Sequence, residues 1–217
     1  MYLTKLTIDV RSRTFRRDYG NIHDMHRTVM SAYPNVSEGI SARQAHGVLW
    51  RLDPAQGGFV QYVQSHIEPD WTSLPLGHLS VPAEVRPLRP VLDAVSPGRK
   101  LSFRLVANPT KCDSKTRKRI PLGRAEQQVD WLIRQGERAG FVIPSSAGGV
   151  PDVAPSPVPT LVGRKDDSGQ ITVEAVRFDG HLVVIDVEAF TDVLVNGVGR
   201  AKAYGCGLIS LAAPRSV

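Results

Sequence analysis

From Thr4 to Val10 the even positions read Thr, Leu, Ile and Val, while the odd ones read Lys, Thr and Asp. That period of two predicts a half-buried strand. The next stretch, "RSRTFRRD" (11–18), is basic and irregular, and predicts a solvated loop. After it Ile22, Met25, Val29, Ala32 and Tyr33 share one face of a helix. Asn21 is placed to cap that helix, with Asp24 completing a weak capping box and Pro34 stopping it.

Alternation resumes in "HGVLWRLD", where Val48, Trp50 and Leu52 fall on one side of a strand. "DPAQGG" turns the chain and "FVQYVQSHI" returns as a second strand. A short helix is expected from Pro90 to Val95, and a strand in "KLSFRLVANP". The order strand, helix, strand, strand, helix, strand is that of a ferredoxin-like unit.

The second half repeats it. "RAEQQVDWLIRQGERAG" is a helix with Val129, Leu132 and Ile133 inward and Gly140 as its stop. "ITVEAVRF" and "HLVVIDV" flank Asp179-Gly180, a two-residue hairpin signal. "EAFTDVLVNG" predicts a last helix and "GCGLISLAA" a last strand, while "PSSAGGVPDVAPSPVP" (144–159) reads as a mobile loop. The expected fold class is α+β, two tandem ferredoxin-like (βαββαβ) domains over 1–108 and 109–217.

Charge changes the picture next. The 217 residues carry a net charge of +6 with a pI near 9.6, which leans toward a phosphate-bearing partner. No apolar run is long enough to span a membrane, and the N-terminus alternates instead of forming a signal-like apolar block. Cys112 and Cys206 are far apart with no CxxC pair, which argues against a thiolate zinc site and fits a cytoplasmic protein.

Two of the six histidines, His23 and His26, open the first helix, about 60° apart in azimuth. A metal site would need further ligands, and the i, i+4 spacing with an intervening Glu is missing. A bland alternative has His26 merely bordering the apolar stripe. The chemical alternative is RNA cleavage without metal, in which the 2′-hydroxyl attacks the neighbouring phosphate. Such a path needs a base for the 2′ proton and an acid for the 5′ oxygen, duties suited to imidazole at neutral pH. The opening turn of the helix is also a place for a phosphate to settle. His46, His66, His78 and His181 sit without companions and read as structural or solvated.

Between residues 111 and 124, Lys111, Lys115, Arg117, Lys118, Arg119 and Arg124 face a single acid, Asp113. On a phosphate backbone these charges would position RNA without reading its sequence. Arg11, Arg13, Arg16 and Arg17 extend the basic character ahead of the histidines, and Arg27 follows them. "NGVGRAKAYGCG" (196–207) brings Gly197 and Gly199 beside Arg200 and Lys202. It follows a helix and opens a strand, the reverse of a dinucleotide fingerprint. Its glycines serve either positive φ and close packing, or the approach of a phosphate chain.

The segments "MYLTKLTID", "DMHRTVMSAYP", "LWRLD", "FRLVANPTK", "KRIPL" and "GVGRAKAYGCGLISLAA" occur in that order. In this the chain resembles the CasE endoribonucleases of type I-E CRISPR systems, the repeat-processing subunit of the Cascade complex. The resemblance implies two ferredoxin-like domains of the RAMP type. It also implies metal-independent cleavage of precursor RNA at the base of each repeat stem-loop, leaving a 2′,3′-cyclic phosphate and a 5′-hydroxyl. The implied partners are that RNA, retained after cleavage, and the other Cascade subunits, with no cofactor, no membrane and no DNA contact of its own. The family's catalytic histidine falls on His26. Where some members carry a tyrosine three residues earlier this chain has His23, with Tyr19 one turn before, so the second catalytic group is His23 or Tyr19. Segment 111–124 matches the family's RNA-gripping region and Gly197–Gly207 its glycine-rich loop. A non-catalytic guide-RNA-binding subunit and a nucleotide-binding enzyme are the competing readings.

Overall fold

A computed structural model describes residues 1–37, 39–165 and 169–214. The chain divides into two units, residues 1–91 with 160–173 and 202–205, and residues 92–159 with 174–201 and 206–217.

The first unit opens with strand β1 (Tyr2–Ile8), whose buried positions are Thr4, Leu6 and Ile8, the even positions that the alternation selects. Helices α1 (Arg13–Gly20), α2 (Ile22–Met30) and α3 (Ala42–Ala45) follow, then β2 (Leu49–Ala55), β3 (Gly58–Ser65), β4 (Glu84–Pro87) and helix α4 (Arg89–Asp93). The sheet order β2-β3-β1-β4, antiparallel throughout, is the ferredoxin-like order. A 3₁₀ turn at Trp71–Ser73 lies where a second long helix would cross from β3 to β4. Ile22, Met25, Val29, Ala32 and Tyr33 are all buried against Leu6, Ile8, Trp50 and Val63.

Residues 11–18, expected as a loop, instead contribute most of α1. Ser12 caps it by accepting from the Phe15 amide at 3.3 Å, and Phe15 and Asp18 are its buried positions. Arg17 shields the buried Asp18 carboxylate at 2.6 Å. The arginines thus ride the outer face of a capped amphipathic helix, which a pattern dominated by charge conceals.

The second unit begins with β5 (Lys100–Ala107), continues through the hairpin β6 (Thr110–Cys112) and β7 (Arg119–Pro121), and then helix α5 (Ala125–Arg138), β8 (Phe141–Val142) and β9 (Val153–Pro157). The chain next lends β10 (Leu161–Lys165) and β11 (Gly169–Val173) to the first unit, before β12 (Val176–Val184), α6 (Val187–Asn196) and β13 (Ile209–Ala212). The order β13-β5-β12-β8 repeats the ferredoxin-like pattern. Its core joins Phe103, Leu105, Phe178 and Leu182 of the sheet to Leu132, Phe190 and Leu194 of the helices.

Three expectations differ from this arrangement. β5 pairs with β12 and β13, so it starts the second unit and does not close the first; the division falls near residue 92, not 108. Its alternation is correct, but the choice of partner strand is tertiary. Asp179-Gly180 makes no turn: β12 runs straight through it, with Asp179 opposite Arg104 and bonded to its Nε at 2.6 Å. Gly180 is needed for space, because a Cβ there would lie 2.3 Å from the Asp152 carbonyl oxygen. The segment 144–159, expected as a mobile loop, supplies β9, which pairs with β12 from Val153 to Pro157.

Candidate active site

Helix α2 is fixed at its start from two directions. The Asn21 side chain accepts from the His23 amide at 3.2 Å and from the Arg164 amide of β10 at 3.1 Å. Gly163 lies so close that a Cβ would stand 2.6 Å from Asn21 Oδ1 and 3.1 Å from the His23 nitrogen. The Asp24 and Met25 amides are taken by the Asn21 carbonyl. The opening turn is therefore occupied by its own cap and by β10, which removes it as the phosphate seat expected from the sequence.

The imidazoles themselves are well placed. His23 and His26 sit side by side with ring centroids 6.4 Å apart and planes tilted by 37°. Tyr204 meets His26 edge-on at 6.3 Å. That tyrosine belongs to a short 3₁₀ turn, Lys202–Tyr204, held by the Trp50 indole N–H donating to the Ala203 carbonyl at 3.2 Å. Sequence reasoning missed Tyr204, although an aromatic residue enclosed by the glycines of the terminal loop was its available signal. Tyr19 is half exposed, and its ring packs on Phe15 and Phe59 at 5.8 and 5.2 Å, so its aromatic neighbours are not the imidazoles.

Burial pushes His26 down to about 4, and the nearby positive groups His23 and Arg43 push in the same direction. Nδ1 of both rings is buried and has no hydrogen-bond partner among the described residues. No carboxylate of the described residues therefore orients either ring through that nitrogen, in contrast to a catalytic triad. Asp24, the acid on the same helix, turns to Asn21 at 3.0 Å and lies 3.9 Å from both Arg17 and Arg27. Among the described residues no group of three or more His, Cys, Asp or Glu side chains is arranged to hold a metal ion.

The His26 shift has a consequence for stability. Above pH 6.5 the ring is neutral in both folded and unfolded chains and contributes no pH dependence. Between 6.5 and about 4 the unfolded chain takes up a proton that the folded chain refuses, so stability falls with falling pH and levels below that window. His26→Asn is expected to flatten this decline in thermal melts taken from pH 7 to pH 4.

Three of the other histidines have contacts of their own. His46 Nε2 lies 2.9 Å from the Pro34 carbonyl, His181 Nδ1 lies 2.9 Å from Asp152, and the His66 ring fills the space over Gly47. Burial lowers the pKa of His78.

The basic segment 111–124 forms the β6–β7 hairpin of the second unit, inside that unit and not as a linker between the two. Asp113 organises its tip, accepting at Oδ1 from the Thr116 amide at 2.7 Å, the Thr116 hydroxyl at 2.8 Å and the Lys115 amide at 3.2 Å. These bonds hold the Asp113 carboxyl below its ordinary range. Arg117 takes a positive φ of 58° at the turn. Lys111, Lys115, Arg117, Lys118, Arg119 and Arg124 all stand exposed.

In the glycine-dense loop the glycines answer to packing. Gly199 (φ 73°) places its missing Cβ 3.1 Å from the Trp131 ring, and Gly205 (φ 79°) 3.1 Å from the Trp50 ring. Gly197 (φ 76°) ends α6 and is buried, while Arg200 is exposed and Lys202 partly so. Of the remaining arginines, Arg16 and Arg27 are exposed, and Arg17 is engaged by Asp18 and by Thr28 at 3.3 Å. Cys206 is buried, which pushes its thiol up to about 12 and leaves it inert. Among the described residues no helix is long and apolar enough to cross a membrane.

A model of the family described as "CRISPR associated protein" matches residues 1–213. The "CRISPR-associated endoribonuclease Cse3" of Thermus thermophilus is 38% identical, with 98% of this chain and 100% of that protein covered. The "CRISPR system Cascade subunit CasE" of Escherichia coli is 33% identical over 78% of this chain and 90% of that protein. Among solved structures, Cse3 bound to a 19 nt RNA superposes with a TM-score of 0.83 at 38% identity, over 98% of this chain and 100% of that one. A chain of a CRISPR RNA-guided surveillance complex gives 0.70 at 32% identity, over 99% of this chain and 100% of that one.

Proposed function

The chain belongs to the CRISPR associated protein family, being of the CasE type, and we propose that this endoribonuclease cuts CRISPR precursor RNA at the base of the repeat stem-loop without a metal ion. The observation that carries the mechanism is the pair of imidazoles on α2, 6.4 Å between centroids. That spacing admits a phosphodiester between the rings, each within reach of one of the two oxygens exchanged at phosphorus.

His26, neutral because burial holds it to about 4, is the base that takes the 2′-hydroxyl proton. The 2′ oxygen then bonds to phosphorus, the bond from phosphorus to the 5′ oxygen breaks, and His23 gives that oxygen a proton. The products are a 2′,3′-cyclic phosphate and a 5′-hydroxyl, and His26 leaves the cycle protonated as His23 leaves it deprotonated. Tyr204 packs against His26 and steadies the ring. The exposed cations of the β6–β7 hairpin, with Arg16, Arg27, Arg200 and Lys202, hold the RNA backbone. The RNA-bound Cse3 and the surveillance-complex chain support repeat RNA and other Cascade subunits as partners.

The test is a labelled hairpin of the cognate repeat incubated with the protein in EDTA. Cleavage at the stem base with a cyclic phosphate on the upstream fragment is expected. Cleavage that ceases on chelation and returns with magnesium would sink the proposal.

A further inference from the structure

Asn21 is a single extended residue (φ −142°, ψ 102°) between α1 and α2, closing one helix and opening the other. Its side chain makes more bonds than a cap requires. Oδ1 accepts from the His23 amide at 3.2 Å and from the Arg164 amide at 3.1 Å. Nδ2 donates to the Arg164 carbonyl at 3.5 Å and to Asp24 Oδ2 at 3.0 Å. Towards β10 the carboxamide thus meets both main-chain groups of Arg164, as a neighbouring strand would. The hairpin comes this close because residue 163 has no side chain. A Cβ there would stand 2.6 Å from Asn21 Oδ1, 3.0 Å from Ile22 Cγ2 and 3.1 Å from the His23 nitrogen. Leu161 and Ile171, on the same face of the hairpin as Gly163, pack on the core that contains Ile22 and Met25. The hairpin, Asn21 and His23 all belong to the first unit.

Nδ1 of His23 has no hydrogen-bond partner among the described residues, so no bond of theirs through that nitrogen fixes the ring. Its place depends on its backbone, and the bond to Asn21 holds that backbone. We infer that Asn21 is a positioning residue for His23, and that the β10–β11 hairpin holds Asn21 to that task. The inference rests on the cleavage reading above, in which His23 protonates the departing 5′ oxygen. Such a transfer needs the donor nitrogen within about 2.6–3.2 Å of that oxygen. A misplacement of about 1 Å, even one that originates away from the chemistry, costs about 10²-fold in rate. Serine or aspartate would also cap α2. A serine hydroxyl, however, is too short to bridge to β10, and a carboxylate has no donor for the Arg164 carbonyl. Asparagine serves the cap and the strand together.

The experiment compares wild type, Asn21→Ser, Gly163→Ala and His23→Ala on two cognate repeat hairpins. One carries the natural linkage at the cut, the other a bridging sulfur in place of the 5′ oxygen. A thiolate departs without needing a proton, so the sulfur linkage bypasses the acid and keeps the 2′ attack. Single-turnover rates at saturating protein are read on both linkages and Kd on a 2′-deoxy hairpin, while thermal melts verify folding. His23→Ala is expected to lose about 10²–10⁴-fold on oxygen and to regain most of it on sulfur. Asn21→Ser and Gly163→Ala are each expected to lose about 10- to 100-fold on oxygen, regain it on sulfur and keep Kd within a few-fold. Should Asn21→Ser fail to fold, Gly163→Ala decides, since it leaves the cap residue in place. Wild-type rates in the variants overturn the inference, as does an equal loss on both linkages, the mark of general damage to the fold. If sulfur rescues His23→Ala but not these two, only the positioning role is misassigned. If His23→Ala cuts the oxygen linkage normally, or its loss persists on sulfur, the acid role of His23 fails and the positioning role with it.

Discussion

Replacing His26 with alanine is expected to slow repeat-hairpin cleavage by about 10²–10⁴-fold while leaving hairpin binding nearly unchanged. The size is that expected for loss of a general base, the role proposed for His26. Binding should survive because His26 is partly buried, while the exposed cations proposed to hold RNA lie elsewhere in the chain. The pH profile separates base from acid. With a free-state pKa of about 4, His26 acting as base makes kcat/KM rise as the pH climbs through that value. Acting as acid it would make kcat/KM fall about tenfold per pH unit above the same point.

Neutralising Arg117, Lys118 and Arg119 together is expected to flatten the salt dependence of hairpin binding. Each phosphate contact contributes about 0.9 to the slope of log K against log salt on a duplex, so the slope should fall by about 2 to 3. Over the decade from 1 M to 0.1 M salt this amounts to roughly 10² to 10³ in affinity at the lower concentration. All three side chains are exposed at or beside a tip that Asp113 folds through bonds to Lys115 and Thr116, so the substitutions leave the hairpin's own scaffold intact. Binding titrations across salt concentrations check this, and an unchanged slope would make the segment an ordinary solvated surface.

Local periodicity carried most of the fold. The α2 stripe, the alternation of β1, the β2–β3 pair, α5 and α6 each depend on neighbours two to four residues away, and all are present. Pairing was not legible. β5 has the pattern of any half-buried strand, and nothing within it says that its partners are β12 and β13, one of them at the far end of the chain. Asp179-Gly180 has the composition of a turn, but β12 is paired with β5 and β9 through both residues, and Asp179 is ion-paired with Arg104.

The site divides the same way. His23 and His26 were visible as a pair because they lie within one turn of one helix. Tyr204 reaches His26 from a distant loop, which only the tertiary fold brings beside it. The glycines of the terminal loop were visible as a cluster, but their reason, two tryptophan rings lying over Gly199 and Gly205, was not.

The decisive measurement is cleavage, in chelator, of two cognate hairpins that differ only by a 2′-deoxy group at the nucleotide before the cut. The ribose substrate should be severed and the deoxy substrate bound equally well but left whole, since it has no nucleophile. Scission of the deoxy hairpin at a comparable rate would mean that water or a protein group attacks the phosphate, and the roles given to His26 and His23 would not stand.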